Sequence, residues 1–115
     1  MAEKALFPEK RFLRALYPKA FSERCLDLPF AADSSDILDE LRQHIIAALD
    51  TLSYRDRGVL EMRFGLGDGY AYTLAEAGYV FNLTRERIRQ LQARSLRRLR
   101  ERADSLEEFL RRLDS

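Results

Sequence analysis

Thr73-Leu-Ala-Glu-Ala-Gly-Tyr-Val-Phe-Asn-Leu-Thr-Arg-Glu-Arg-Ile-Arg-Gln-Leu-Gln92 spells two short helices joined by a tight turn. Thr73 with Glu76 three residues on is a capping box, which satisfies loose N–H groups at a helix start. Gly78 falls inside that helix, where glycine costs stability, so its use is the close approach of another helix. Asn82 tolerates the left-handed conformation and can close the helix and reverse the chain. Thr84 then caps a second helix. This is the pattern of a helix-turn-helix, whose second helix enters the DNA major groove.

The second helix, Thr84 to about Arg102, divides its faces. At the helical period Ile88, Leu91, Ser95, Leu96 and Leu99 share one side. Glu86, Gln90, Ala93 and Arg97 share the other, flanked by Arg89 and Arg100. The first outward turns therefore present Arg85, Glu86, Arg89 and Gln90. These types read bases: arginine forks to guanine, glutamine to adenine, and glutamate accepts from the cytosine amine. A glutamate among arginines suits sequence reading better than plain phosphate binding. The competing reading is a solvated, arginine-rich face.

Charge supports the first reading. From Thr84 to Arg102 eight arginines face Glu86 and Glu101, a net +6, which leaves −5 for the rest of a chain whose total is +1. A basic helix on an acidic body is the layout of a module that presents one element to phosphate.

The length of 115 residues suggests one domain. Cys25 is alone and cannot form an internal disulfide, and His44 and Cys25 cannot build a zinc site by themselves. We expect no metal and no cofactor, and a reduced, cytoplasmic setting. No apolar run reaches the ~18 residues of a membrane span, and no secretory signal core is present, so no membrane partner is expected. The chain offers no nucleophile–base triad or carboxylate pair for catalysis, and no enzyme activity is expected.

Ahead of this stretch, Pro8, Pro18 and Pro29 punctuate residues 1–32. Phe12, Leu13, Leu16 and Tyr17 have helical spacing, predicting a short helix from Glu9 to Tyr17 and another from Ala20 to Leu26. Phe7, Phe21 and Phe30 add to a segment too apolar for a disordered tail. Such an arm either packs on its own domain or docks on a partner or a second copy. Asp33-Ser-Ser-Asp36 looks like a helix start; Ile37, Leu38, Leu41, Ile45, Ala48, Leu49 and Leu52 then predict an amphipathic helix over about Ser35 to Asp50, with His44 beside its stripe. Ser53, with Asp56 three residues on, starts the next, which runs to about Phe64. Arg55, Arg57 and Arg63 are its basic positions. Gly65-Leu-Gly-Asp-Gly69 lacks the strand and the lysine of a phosphate loop and reads as a flexible connector, anchored by Tyr70 and Tyr72. Ser105 with Glu108 is a further capping box, opening a last helix through Leu106, Phe109, Leu110 and Leu113.

Leu52-Ser-Tyr-Arg55, Val59-Leu-Glu-Met-Arg-Phe-Gly-Leu-Gly-Asp-Gly69 and Leu83-Thr-Arg-Glu-Arg-Ile-Arg-Gln-Leu91 strongly resemble region 4 of bacterial housekeeping-type sigma factors. The resemblance covers Asp50 to Arg100, with weaker similarity back to about Pro29. It implies binding to the minus-35 promoter element and to the flap of the RNA polymerase β subunit. By position, Arg85, Glu86, Arg89 and Gln90 read bases or nearby phosphates. Arg55, Arg63, Thr73 and the Leu74 backbone hold the DNA backbone. Arg94, Arg97 and Arg100 match the surface offered to activators and upstream DNA, and the helices from Ser35 to Phe64 contribute to the polymerase surface. Ala75 and Gln92 stand where the family usually has acidic residues. Nothing resembles the regions that bind the downstream promoter element and melt DNA, and residues 1–28 match no sigma segment; the expectation is either a stand-alone region-4-like protein or an excised fragment, with Met1 and this arm favouring the former.

The expected architecture is all-α: a winged-helix-like, sigma region 4 type helix-turn-helix domain of four core helices over residues 33–102, preceded by an aromatic-rich arm over 1–32 and followed by a C-terminal helix over 103–115. The expected function is sequence-specific promoter binding. Two alternatives remain open at this stage: an interaction module that occupies polymerase or a partner without reading DNA, and a homodimeric repressor using the same helix.

Overall fold

The computed structural model describes residues 2–5, 7–18, 35–102 and 104–114. The expected helix over Ala20–Leu26, Cys25, and the Asp33-Ser34 start fall outside these residues, as does the Leu113 side chain. Among the described residues six helices carry the fold: α1 (Pro8–Leu16), α2 (Ser35–Leu49), α3 (Tyr54–Phe64), α4 (Leu74–Phe81), α5 (Arg85–Arg102) and α6 (Asp104–Asp114). A two-stranded antiparallel bridge joins β1 (Glu3–Lys4) to β2 (Tyr70–Ala71), with Glu3 opposite Ala71 and Lys4 opposite Tyr70.

Two apolar clusters organise the helices. The larger gathers Phe12, Leu13 and Leu16 of α1, Leu41, Ile45 and Leu49 of α2, Leu60 and Phe64 of α3, Leu96 and Leu99 of α5, and Leu106, Phe109 and Leu110 of α6. The smaller lies under the helix-turn-helix: Val59 and Met62 of α3, Leu74, Ala77 and Phe81 of α4, Leu83, and Ile88 and Leu91 of α5. Helix α5 thus plants its N-terminal half on the smaller cluster through Ile88 and Leu91 and its C-terminal half on the larger through Leu96 and Leu99. The arm's first part packs on its own domain: Phe12 and Leu16 are fully buried, and the Phe12 and Phe64 rings meet edge-on at 5.7 Å. Glu9, buried on the same helix, takes the Arg42 guanidinium at 2.7 Å.

Local signals act largely where expected. Ser53 Oγ accepts from the Asp56 amide at 3.2 Å, and the His44 ring stacks on Phe109 at 4.7 Å. Two expectations change. The glycine stretch is not a loose connector. Gly65 ends α3 with φ 75°, and an added Cβ there would come within 2.6 Å of the Ala5 Cβ. Ala5 donates its amide to the Gly69 carbonyl at 2.8 Å, while Tyr72 donates its amide to the Met62 carbonyl at 2.8 Å. Strand pairing and these bonds hold the loop; the Tyr72 hydroxyl turns to Asp68 and Tyr70 is half exposed, so neither ring is a core anchor. The Ser105 capping box does not form either. Helix α6 already includes Asp104, and the Ser105 hydroxyl lies 2.8 Å from His44 Nδ1.

Candidate nucleic-acid interface

The turn between α4 and α5 is built from bonds that its sequence supplies. Thr73 Oγ1 accepts from the Glu76 amide at 3.1 Å, and Glu76 Oε1 accepts from the Thr73 amide at 2.9 Å, the full reciprocal box. These bonds hold the Glu76 carboxyl below the usual range, the Thr73 amide contributing most. Asn82 sits at φ 57°, ψ 45°. Leu83 donates to the Gly78 carbonyl at 2.8 Å and Asn82 to the Tyr79 carbonyl at 3.4 Å, a Schellman pair. Gly78 is needed by this turn itself, not by a passing helix: a Cβ there would lie 2.5 Å from the Leu83 carbonyl oxygen. Thr84 Oγ1 accepts from the Arg87 amide at 3.0 Å and starts α5.

With Ile88 and Leu91 fully buried beneath it, α5 is held by one face. Arg85, Glu86, Arg89 and Gln90 are exposed together on its first two turns. Arg89 grips Glu86 with two donors, Nε at 2.9 Å and a terminal nitrogen at 2.6 Å. The pairing lowers the Glu86 pKa and raises that of Arg89. Arg87, absent from the sequence-derived site, donates to Gln90 Oε1 at 3.2 Å. The face thus carries its polar side chains in exposed pairs, Arg89 with Glu86 and Arg87 with Gln90, which water screens and so leaves only weakly held together.

The backbone candidates differ in setting. Arg55 and Thr73 are exposed and Leu74 is half-buried. Arg63 is half-buried and committed inward: Nε donates to Gln92 Oε1 at 2.8 Å and a terminal nitrogen to the Tyr72 carbonyl at 2.6 Å. The trio Arg94, Arg97 and Arg100 is divided. Arg97 is exposed with no ion pair among the described residues. Arg100 donates to the Leu16 carbonyl at 2.6 Å and the Ala15 carbonyl at 3.3 Å, closing the C-terminus of α1 where a cation suits the helix dipole. Arg94 approaches Asp56 at 3.7 Å, and Arg98 reaches the other carboxylate oxygen at 3.4 Å. Asp56 is 1% exposed. Like Arg87, it is a residue that sequence reasoning missed: the spacing from Ser53 marks it as part of a cap, and nothing local shows that its carboxylate anchors α5 to α3.

Among the described residues, no helix is long and apolar enough to cross a membrane. Residues 48–101 match the family described as sigma-70, region 4. The chain is 52% identical over 73 residues, 62% of its length, to the RNA polymerase sigma factor SigA of Microcystis aeruginosa, of which this covers 18%. It is 52% identical over 73 residues to SigA of Synechocystis sp., covering 62% of this chain and 17% of that one. With SigA of Listeria monocytogenes it shares 50% over 72 residues, 61% of this chain and 19% of the relative. The chain therefore spans under a fifth of the curated relatives it matches.

Proposed function

We propose that this chain, whose residues 48–101 match region 4 of the sigma-70 family, reads the minus-35 promoter element and engages core RNA polymerase during transcription initiation. The observation that carries the reading is the exposed quartet Arg85, Glu86, Arg89 and Gln90, on a helix whose opposite face is buried through Ile88 and Leu91. Arg89 forks to guanine, Gln90 pairs with adenine, and Glu86 releases Arg89 to accept a cytosine amine. Arg55, Thr73 and the Leu74 amide hold phosphates alongside, and Arg63 reaches them with the donors it has not used on Gln92 and Tyr72. Polymerase, through its β flap, meets α2 and α3. Half-exposed Ile46 and the Arg42, Leu49 and Leu66 side chains line a cleft there. Arg97 is the member of its trio best placed for activators or upstream DNA. Such a role locates the protein on the bacterial nucleoid.

A single helix-turn-helix makes few base contacts, so its affinity depends on salt and on tethering by polymerase. The test is fluorescence anisotropy with a duplex bearing TTGACA against a scrambled duplex, at two salt concentrations. A preference for TTGACA that persists at the higher salt is expected. The double variant Glu86→Ala, Gln90→Ala should erase that preference while leaving non-specific binding. Equal, salt-labile binding of both duplexes by the unaltered protein would reduce the arginines to a charge patch.

A further inference from the structure

Arg11 stands on α1, well ahead of the residues that match the family. It is exposed and makes no ion pair among the described residues. Yet it lines a recess of about 240 Å³ together with Glu3, Arg63, Ala71, Tyr72 and Thr73. Three separate pieces of chain meet there: the N-terminal bridge and helix, the end of α3, and the N-terminal end of α4.

The electrostatics of the recess favour an anion. Arg63 gives its inward bonds to the Gln92 amide oxygen and the Tyr72 carbonyl. Both acceptors are neutral, so neither cancels its charge. Burial lowers the Arg63 pKa, and the nearby Arg11 charge lowers it further. The two cations are thus held within reach of each other's repulsion, which an entering anion would relieve. Glu3 is the one carboxylate in the lining, and it forms no ion pair with either arginine among the described residues. The floor is the start of α4. Thr73 brings the positive end of the α4 dipole to the lining, and the Glu76 carboxylate in that first turn is already engaged by the Thr73 amide.

We propose that this recess seats a DNA phosphodiester, with Arg11 acting beside Arg63 and Thr73, so that the N-terminal helix extends the DNA contact of the region 4 part. The proposal rests on the reading that duplex DNA lies along α4 and α5. A fixed recess next to the base-reading turn is placed for a backbone phosphate of the same duplex. Phosphate contacts position the protein and carry no sequence information, so Arg11 adds affinity without changing the preferred sequence.

The experiment measures binding of the full chain to the TTGACA and scrambled duplexes across a salt series, with Arg11→Ala, Arg11→Lys and, as a control outside the recess, Arg111→Ala. Circular dichroism checks that each variant is folded. Arg11→Ala should lower the slope of log K against log salt by about 0.9 and weaken both duplexes roughly fivefold to tenfold at ~0.1 M salt. The ratio between the two duplexes should stay unchanged. Arg11→Lys should restore most of the slope, and Arg111→Ala should leave it as it was. An Arg11→Ala slope equal to that of the unaltered protein would overturn the proposal. If the unaltered protein does not prefer TTGACA, base reading falls, and the Arg11 slope still decides this site. Binding of neither duplex at the lowest salt would end both.

Discussion

Gly78 and Tyr17 show how single residues set limits on this molecule. Alanine favours a helix interior over glycine by about 1 kcal/mol. At position 78 the new Cβ would meet the Leu83 carbonyl at 2.5 Å, and backbone cannot swing aside as a side chain can. Gly78→Ala should therefore destabilise by about 1–3 kcal/mol, the usual cost of overpacking, seen as a lower urea midpoint. An unchanged or higher midpoint would show that the turn gives way. Tyr17 is buried, and its phenol is pushed up to about 12 by burial, with Glu107 and Asp104 adding to the effect. The folded state thus favours the neutral phenol. Its stability is intact below the ordinary tyrosine pKa near 10 and is lost as pH rises from there through about 12. Tyr17→Phe should flatten that loss in denaturation curves taken between pH 9 and 12. The glycine's cost to helix propensity was visible in the sequence; the atom it makes room for was not, because Leu83 reaches it only once the turn has closed.

At the scale of elements, α4 and α5 were legible because their signals are local. Thr73 with Glu76, Asn82, and the stripe Ile88, Leu91, Ser95, Leu96 and Leu99 each act within a few residues, and all five stripe positions are buried. What ties elements together was not legible. Arg63 finds Gln92 at a separation of 29 residues and Arg98 finds Asp56 at 42. Periodicity assigns a face but not the partner across it, and a cap motif conceals a carboxylate with a second duty. The β1–β2 bridge has two residues per strand, too few to show alternation. Two substitutions separate the local from the non-local. Thr73→Ala removes one cap and should cost about 1 kcal/mol. Asp56→Ala strands Arg94 and Arg98 and should cost about 3 kcal/mol, near the low end for breaking a buried pair because both guanidiniums keep part of their water. Chemical denaturation of the two variants should give that order. Equal costs would mean that the Asp56 carboxylate gains little from Arg94 and Arg98, since its amide, which serves the Ser53 cap, survives the substitution.

At the scale of the whole molecule, the division into arm, domain and last helix does not follow the core. Helices α1 and α6 share one apolar cluster with α2, α3 and α5. Phe12→Ala should accordingly behave as a core truncation and cost about 3–5 kcal/mol, although the residue lies far ahead of the family-matched segment. A thermal melt with an unshifted midpoint would instead mark α1 as an ornament on a self-sufficient domain. The clasp of Arg100 on the Leu16 carbonyl joins residues 84 apart in sequence. That span has a consequence at the ribosome. The apolar stripe of α1 emerges long before α5 exists to cover it. At roughly 5–20 residues per second, translation leaves it without its final neighbours for on the order of 5–15 s. Until then Phe12, Leu13 and Leu16 are open to chaperones and to other nascent chains, and synonymous codons that slow elongation between α1 and α5 would lengthen that exposure without altering a single residue.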